Sequence, residues 1–103
     1  YRDLYTITFS GPEEGQVLRG AALFRDSLLG CLEADPYRGL ACQVLGPAPA
    51  AVAKINYHYR YRLTLRTPRS REVHRLLAYL LRRFAQDRAN RGISAFADIN
   101  GYD

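Results

Sequence analysis

Residues 57 to 66 (YHYRYRLTLR) alternate without a break between two kinds of side chain, and a period of two constrains the backbone more than any other feature of this chain. In an extended strand successive side chains point to opposite faces. Tyr57, Tyr59, Tyr61, Leu63 and Leu65 then share one face, and His58, Arg60, Arg62, Thr64 and Arg66 share the other. The aromatic and aliphatic set suits a half-buried pleat, and the cationic set suits anions. The stretch predicts a central strand that buries its three tyrosines in a core and turns its basic face to a side no helix covers.

The flanking patterns supply the other elements. Residues 4 to 10 (LYTITFS) alternate Tyr5, Ile7 and Phe9 with Thr6 and Thr8, which predicts a first strand. Ser10, Gly11, Pro12 and Glu13 match a capping box with proline near the first turn, and a helix is expected from there to about Ala34. Its inward face would be Val17, Ala21, Phe24, Leu28 and Leu32, while Gly15 and Gly20 each weaken it by up to ~1 kcal/mol relative to alanine. Residues 41 to 46 predict a short second strand, and residues 47 to 56 (PAPAAVAKIN) a loop. After the alternating strand, Thr67 and Pro68 are expected to open a second helix. There Val73, Leu76, Leu77, Leu80, Leu81 and Phe84 recur at helical spacing. Residues 93 to 100 alternate again, with Ile93, Ala95, Ala97 and Ile99 on one side and Ser94, Phe96 and Asp98 on the other.

The resulting order, β-α-β-β-α-β, predicts an α+β, ferredoxin-like two-layer sandwich: a four-stranded antiparallel sheet with two helices on one face and the first and third strands central. Its open face would present Thr6, Thr8, His58, Arg60, Arg62, Phe96 and Asp98. A length of 103 residues suits one domain. The chain starts at Tyr1, without methionine and within an apolar-rich run, so it is expected to be a fragment of a larger protein. No apolar run approaches the ~18 residues of a membrane span, and a soluble cytoplasmic domain is the expectation.

Charge is unevenly spread. Residues 1 to 50 carry four arginines against six acids, whereas residues 51 to 103 carry Lys54 and ten arginines against four acids. Arginine, which makes up fourteen of the fifteen basic residues, forks onto phosphate and carboxylate and stacks on planar groups. Cys31 and Cys42 lack metal-ligand spacing and are expected to be buried free thiols.

Nothing in the chain has the spacing of a nucleophile elbow, a phosphate-binding loop, a zinc protease motif or a paired-carboxylate site, so no catalytic residue and no metal site is expected. Acyl-phosphate hydrolases of this fold bind their anion in the loop after the first strand. Here that loop is SGPEEG, and Glu13 and Glu14 at the helix start would repel a phosphate. Two binding candidates remain. On the open sheet face Lys54, His58, Arg60, Arg62 and Arg66 form a basic ladder beside Phe96, an arrangement that suits single-stranded nucleic acid. Asp98 could instead pair with Arg60 or Arg62. At the start of the second helix Arg69, Ser70, Arg71 and His74 sit where the helix dipole already favours an anion, which suits an acidic peptide tail.

Leu45, Gly46, Pro47, Pro49, Lys54, Tyr59, Arg60, Tyr61, Asp98 and Asn100 match a pattern of LGP-x-P, a basic step, alternating arginine and aromatic residues and a closing D-hydrophobic-D/N. In this the chain resembles the C-terminal domain of the primosomal protein N′ (PriA) family of replication-restart helicases. His58, Ala51, Arg62 and Gly101 stand where the family has arginine, proline, glutamine and proline, and histidine cannot fork a phosphate as arginine does. The resemblance implies a parent that is an ATP-dependent 3′-to-5′ DNA helicase using ATP, Mg and Zn, with none of those sites in this fragment. It also implies forked or single-stranded DNA, the acidic tail of single-strand DNA-binding protein, the parent's other domains and other primosome proteins as partners. In some members an arginine and a glutamine one turn apart hold that tail. The aligned residues here are Ser70 and His74, for which Arg69 and Arg71 would substitute.

Overall fold

A computed structural model describes residues 2–100 of the chain. Strand β1 (Arg2–Gly11) leads to helix α1 (Glu14–Leu32), β2 (Gln43–Ile55), β3 (His58–Pro68), α2 (Arg71–Gln86), a short 3-10 turn at Arg88–Asn90, and β4 (Ser94–Ile99). All pairings are antiparallel and the sheet order is β2-β3-β1-β4. The two helices and the sheet form the two-layer α+β sandwich expected from the element order, with β1 and β3 central.

Period two and period 3.6 meet in one core. Tyr5, Ile7 and Phe9 of β1 and Leu63 and Leu65 of β3 point toward the helices. There they meet Val17, Ala21, Phe24 and Leu28 of α1 and Val73, Leu76, Leu77, Leu80 and Phe84 of α2. Phe9 lies edge-on to both Phe24 and Phe84 at 5.4 Å, an arrangement that aromatic quadrupoles favour. Gly20 has a packing role in this cluster: a Cβ there would sit 3.3 Å from the Phe84 ring.

Local details depart from the sequence expectations at five places. Ser10 does not cap α1, because β1 runs on to Gly11 and Ser10 lies in register with Arg60 and Ser94; Glu13 occupies the cap position without a side-chain bond. Thr67 and Pro68 end β3 rather than open α2, and Ser70 caps the helix by accepting from the Val73 amide at 3.3 Å. The supposed loop from residue 47 is strand: β2 pairs with β3 along its length, with register shifts between Leu45 and Ala48 and between Pro49 and Lys54. Pro47 and Pro49 are tolerated because β2 is an edge strand, where proline and bulges also discourage further pairing. Cys31 and Cys42 are free but only half-buried.

The fifth departure concerns Tyr57. Asn56 and Tyr57 both have positive φ, 52° and 62°, and form the two-residue turn that joins β2 to β3. Paired positive φ values match the right-handed twist of a tight hairpin. Tyr57 is therefore 82% exposed instead of buried, and Tyr59 and Tyr61 are half-buried at the margin of the core.

Candidate nucleic-acid interface

The register of the sheet fixes what its uncovered face presents. One row across the strands reads Ala48, Arg62, Thr8 and Phe96; the next reads Leu45, Thr64, Thr6 and Asp98. Arg66 stands beside Gln43 and Leu4 at one end of β3, and Arg60 beside Ser10 toward the other. Thr8, between Arg62 and Phe96, is only 3% exposed although no helix of the described residues covers it. Phe96 itself is 49% exposed.

Arg60, Arg62 and Arg66 thus line one strand with intervals set by the ~3.3 Å rise per residue. Nη1 of Arg60 donates to the Val52 carbonyl at 3.0 Å, which commits one of its five donors and orients the rest. His58 shares their face at the start of β3, and its Nδ1–H donates to the Asn56 carbonyl at 3.0 Å. Lys54 does not join the ladder. It lies opposite Tyr59, on the other face of the β2-β3 ribbon, with Nζ 4.9 Å from the Tyr59 ring centroid and 5.6 Å from that of Tyr57, both within cation–π range.

The second candidate group is spread over a helix start whose anion is largely internal. Nε of Arg69 is 3.6 Å from Oδ1 of Asp3, a buried carboxylate at the start of β1. Nδ2 of Asn100 donates to the same oxygen at 3.4 Å, while Oδ1 of Asn100 accepts from the Leu4 amide at 2.8 Å. Asn100 thereby pins the end of β4 to β1 and to the carboxylate that faces Arg69. Ser70 is engaged as the cap of α2, and Glu72 contributes negative charge to the first turn. Arg71 and His74 are exposed, with the His74 ring 6.3 Å from that of Tyr5. The Tyr5 phenol is pushed above its usual range by burial and then by the Asp3 charge.

Glu14 and Tyr61 form a contact that the sequence patterns did not signal. The Tyr61 hydroxyl donates to Oε2 of Glu14 at 2.8 Å, tying the start of α1 to β3. That bond, then partial burial and the Glu14 charge, raise the Tyr61 pKa. The loop after β1 is thus held by a carboxylate and is poorly suited to an anion. Among the described residues, no three His, Cys, Asp or Glu side chains gather as a metal site, and no helix is long and apolar enough to cross a membrane. Gly101 lies outside the described residues.

Comparison with known proteins adds three findings. A family model described as "Primosomal protein N C-terminal domain" matches residues 1–101. No curated protein sequence matches the chain. Among solved structures, an amidase of the hydantoinase/carbamoylase family from Burkholderia vietnamiensis superposes with a TM-score of 0.58 at 19% identity, over 99% of this chain and 27% of the amidase. At that identity the likeness is one of fold, and the chain spans about a quarter of the amidase's length.

Proposed function

Since the chain belongs to the primosomal protein N C-terminal domain family, we propose that it is a non-catalytic DNA-binding and domain-docking module of a replication-restart helicase, acting on single-stranded or forked DNA in the cytoplasm. The observation that carries this reading is the row of Arg60, Arg62 and Arg66 on a sheet face that no helix among the described residues covers. Phosphates would follow β3, since guanidinium groups fork onto phosphate oxygens, and Phe96 on the same face offers a ring to a base. ATP hydrolysis and the Mg and Zn sites implied for the parent would belong to its other domains. Docking onto those domains is supported by the helical layer. Leu18, Leu23 and Leu29 of α1 are exposed, and a groove of ≈ 510 Å³ between α1 and α2 has Leu23, Phe24, Leu80 and Phe84 among its lining, with Arg19 and Arg83.

The test is fluorescence anisotropy of labelled single-stranded and forked DNA. Arg60→Ala combined with Arg62→Ala is expected to abolish most of the binding while leaving the circular dichroism spectrum unchanged. Undiminished affinity in that variant would end this assignment. The rival reading is an interaction scaffold for the acidic tail of single-strand DNA-binding protein. It draws on exposed Arg71 and His74, but Arg69 faces Asp3 and Ser70 is spent on capping. Calorimetry with a tail peptide, repeated on Arg71→Glu, distinguishes it.

A further inference from the structure

The β2-β3 turn puts a bulky aromatic residue in a backbone conformation that favours glycine. Tyr57 occupies the second turn position at φ 62°, where the preferred pair is Asn-Gly and where a bulky side chain is an outlier. The turn gains no core contact in return, because the ring is 82% exposed. Strained positions with no packing gain cluster at sites of contact with ligands. The surroundings point to the ligand's chemistry. Val52 and Ile55 are also exposed, Lys54 Nζ lies near the Tyr57 and Tyr59 rings, and His58 and Arg60 follow directly on β3. A planar ring beside an ammonium group, at the end of an arginine ladder, has the makings of a base-stacking site with phosphate neutralisation at hand. An apolar protein partner would be served by Val52 and Ile55 alone and would gain nothing from the flanking cations.

We propose that the tip of the β2-β3 hairpin captures an unpaired nucleobase by stacking it on Tyr57. Arg60 would hold the phosphate next to that base, while Lys54 stays against the Tyr57 and Tyr59 rings. This rests on the nucleic-acid reading above and adds to it a division of labour. The arginine ladder binds any phosphate backbone, whereas Tyr57 needs an unstacked base and so supplies preference for single strands over duplex.

Two variants of the 103-residue chain test the division. Tyr57→Gly relieves the turn, so the thermal melt stays level or moves up. Its affinity for a labelled oligothymidylate is expected to fall about tenfold, within the range for loss of one base–aromatic stack, while affinity for a blunt duplex of equal length stays within about twofold. The sequence contains no tryptophan, so Tyr57→Trp introduces a single reporter whose emission should be quenched by oligothymidylate and not by the duplex. Undiminished oligothymidylate affinity in Tyr57→Gly, together with unquenched emission in Tyr57→Trp, would overturn the stacking site and leave the ladder standing. Failure of the unmodified chain to bind either DNA would remove both readings together.

Discussion

Replacing Arg60 and Arg62 by alanine should change how DNA binding depends on salt, and the register gives the size of the change. Arg60, Arg62 and Arg66 stand on the open face of β3, whereas Lys54 stands on the other face of the ribbon. On the proposed reading the open face would therefore neutralise about three phosphates rather than four or five. Counterion release gives a log-affinity slope against log salt of about −0.7 per phosphate on single strands and about −0.9 on duplex. Three contacts predict about −2.1 on a single strand, so raising salt from about 50 to about 200 mM weakens binding about 18-fold. With only Arg66 left the slope falls to about −0.7 and the loss over the same range to about 2.6-fold. Anisotropy titrations at four or more salt concentrations measure both slopes. A slope that stays near −2 in the double variant would place the phosphates elsewhere, with the arginine-rich α2 the next surface to test.

Other perturbations read the framework that positions this face. Gly46 has φ 98°, and a Cβ there would lie 2.7 Å from the Arg62 carbonyl; Gly46→Ala should cost about 1 to 3 kcal/mol from backbone conformation alone, visible as a lower urea midpoint. The Tyr61 phenol is raised by its bond to Glu14. Its folded-state value lies above the unfolded one near 10, so the stabilisation it lends is complete below pH ~10 and is lost as pH rises through the folded value. Tyr61→Phe should remove a late-titrating component from the phenolate absorbance curve and flatten the loss of stability in that window. Asp3→Asn takes away the charge that adds to burial in raising the Tyr5 phenol, so Tyr5 should titrate earlier than in the parent chain, and Arg69 should become more mobile by NMR relaxation.

The fold was largely legible because its two periods are strong where burial is one-sided. Residues 58 to 66 show their alternation because one face packs toward the helices while no helix of the described residues covers the other, and Val73 to Phe84 show theirs because α2 covers the sheet with a single stripe. The residues 47 to 55 were not legible as strand. Two prolines and two register shifts on an edge break the alternation that would have signalled pairing. That broken pattern hides the hairpin, and with it the turn that takes Tyr57 out of the core. Arg60, Arg62 and Arg66 could be assigned to the open face from parity alone. The position of Lys54 could not, since the shifts between Pro49 and Lys54 reset which face each residue takes.

Contacts between distant segments decide which of the two arginine groups is better placed to meet an external anion. Arg69 faces Asp3, which lies 66 positions earlier in the sequence, and Asn100 at the far end of the chain holds that carboxylate in place. Glu72 offsets Arg71 within the first turn of α2. Among the described residues the helix start therefore combines two arginines with two carboxylates, while the open face carries three arginines and Asp98, which lies across the sheet on β4. On the proposed reading a ligand phosphate would meet a net positive field over β3 and a nearly balanced one at the helix start, and screening at a Debye length of about 8 to 10 Å confines each field to its own neighbourhood. Arg62→Glu should consequently weaken single-strand binding far more than Arg71→Glu does under the same low-salt conditions. Equal losses from the two reversals would mean that DNA responds to the overall charge of the chain and not to the geometry of the sheet.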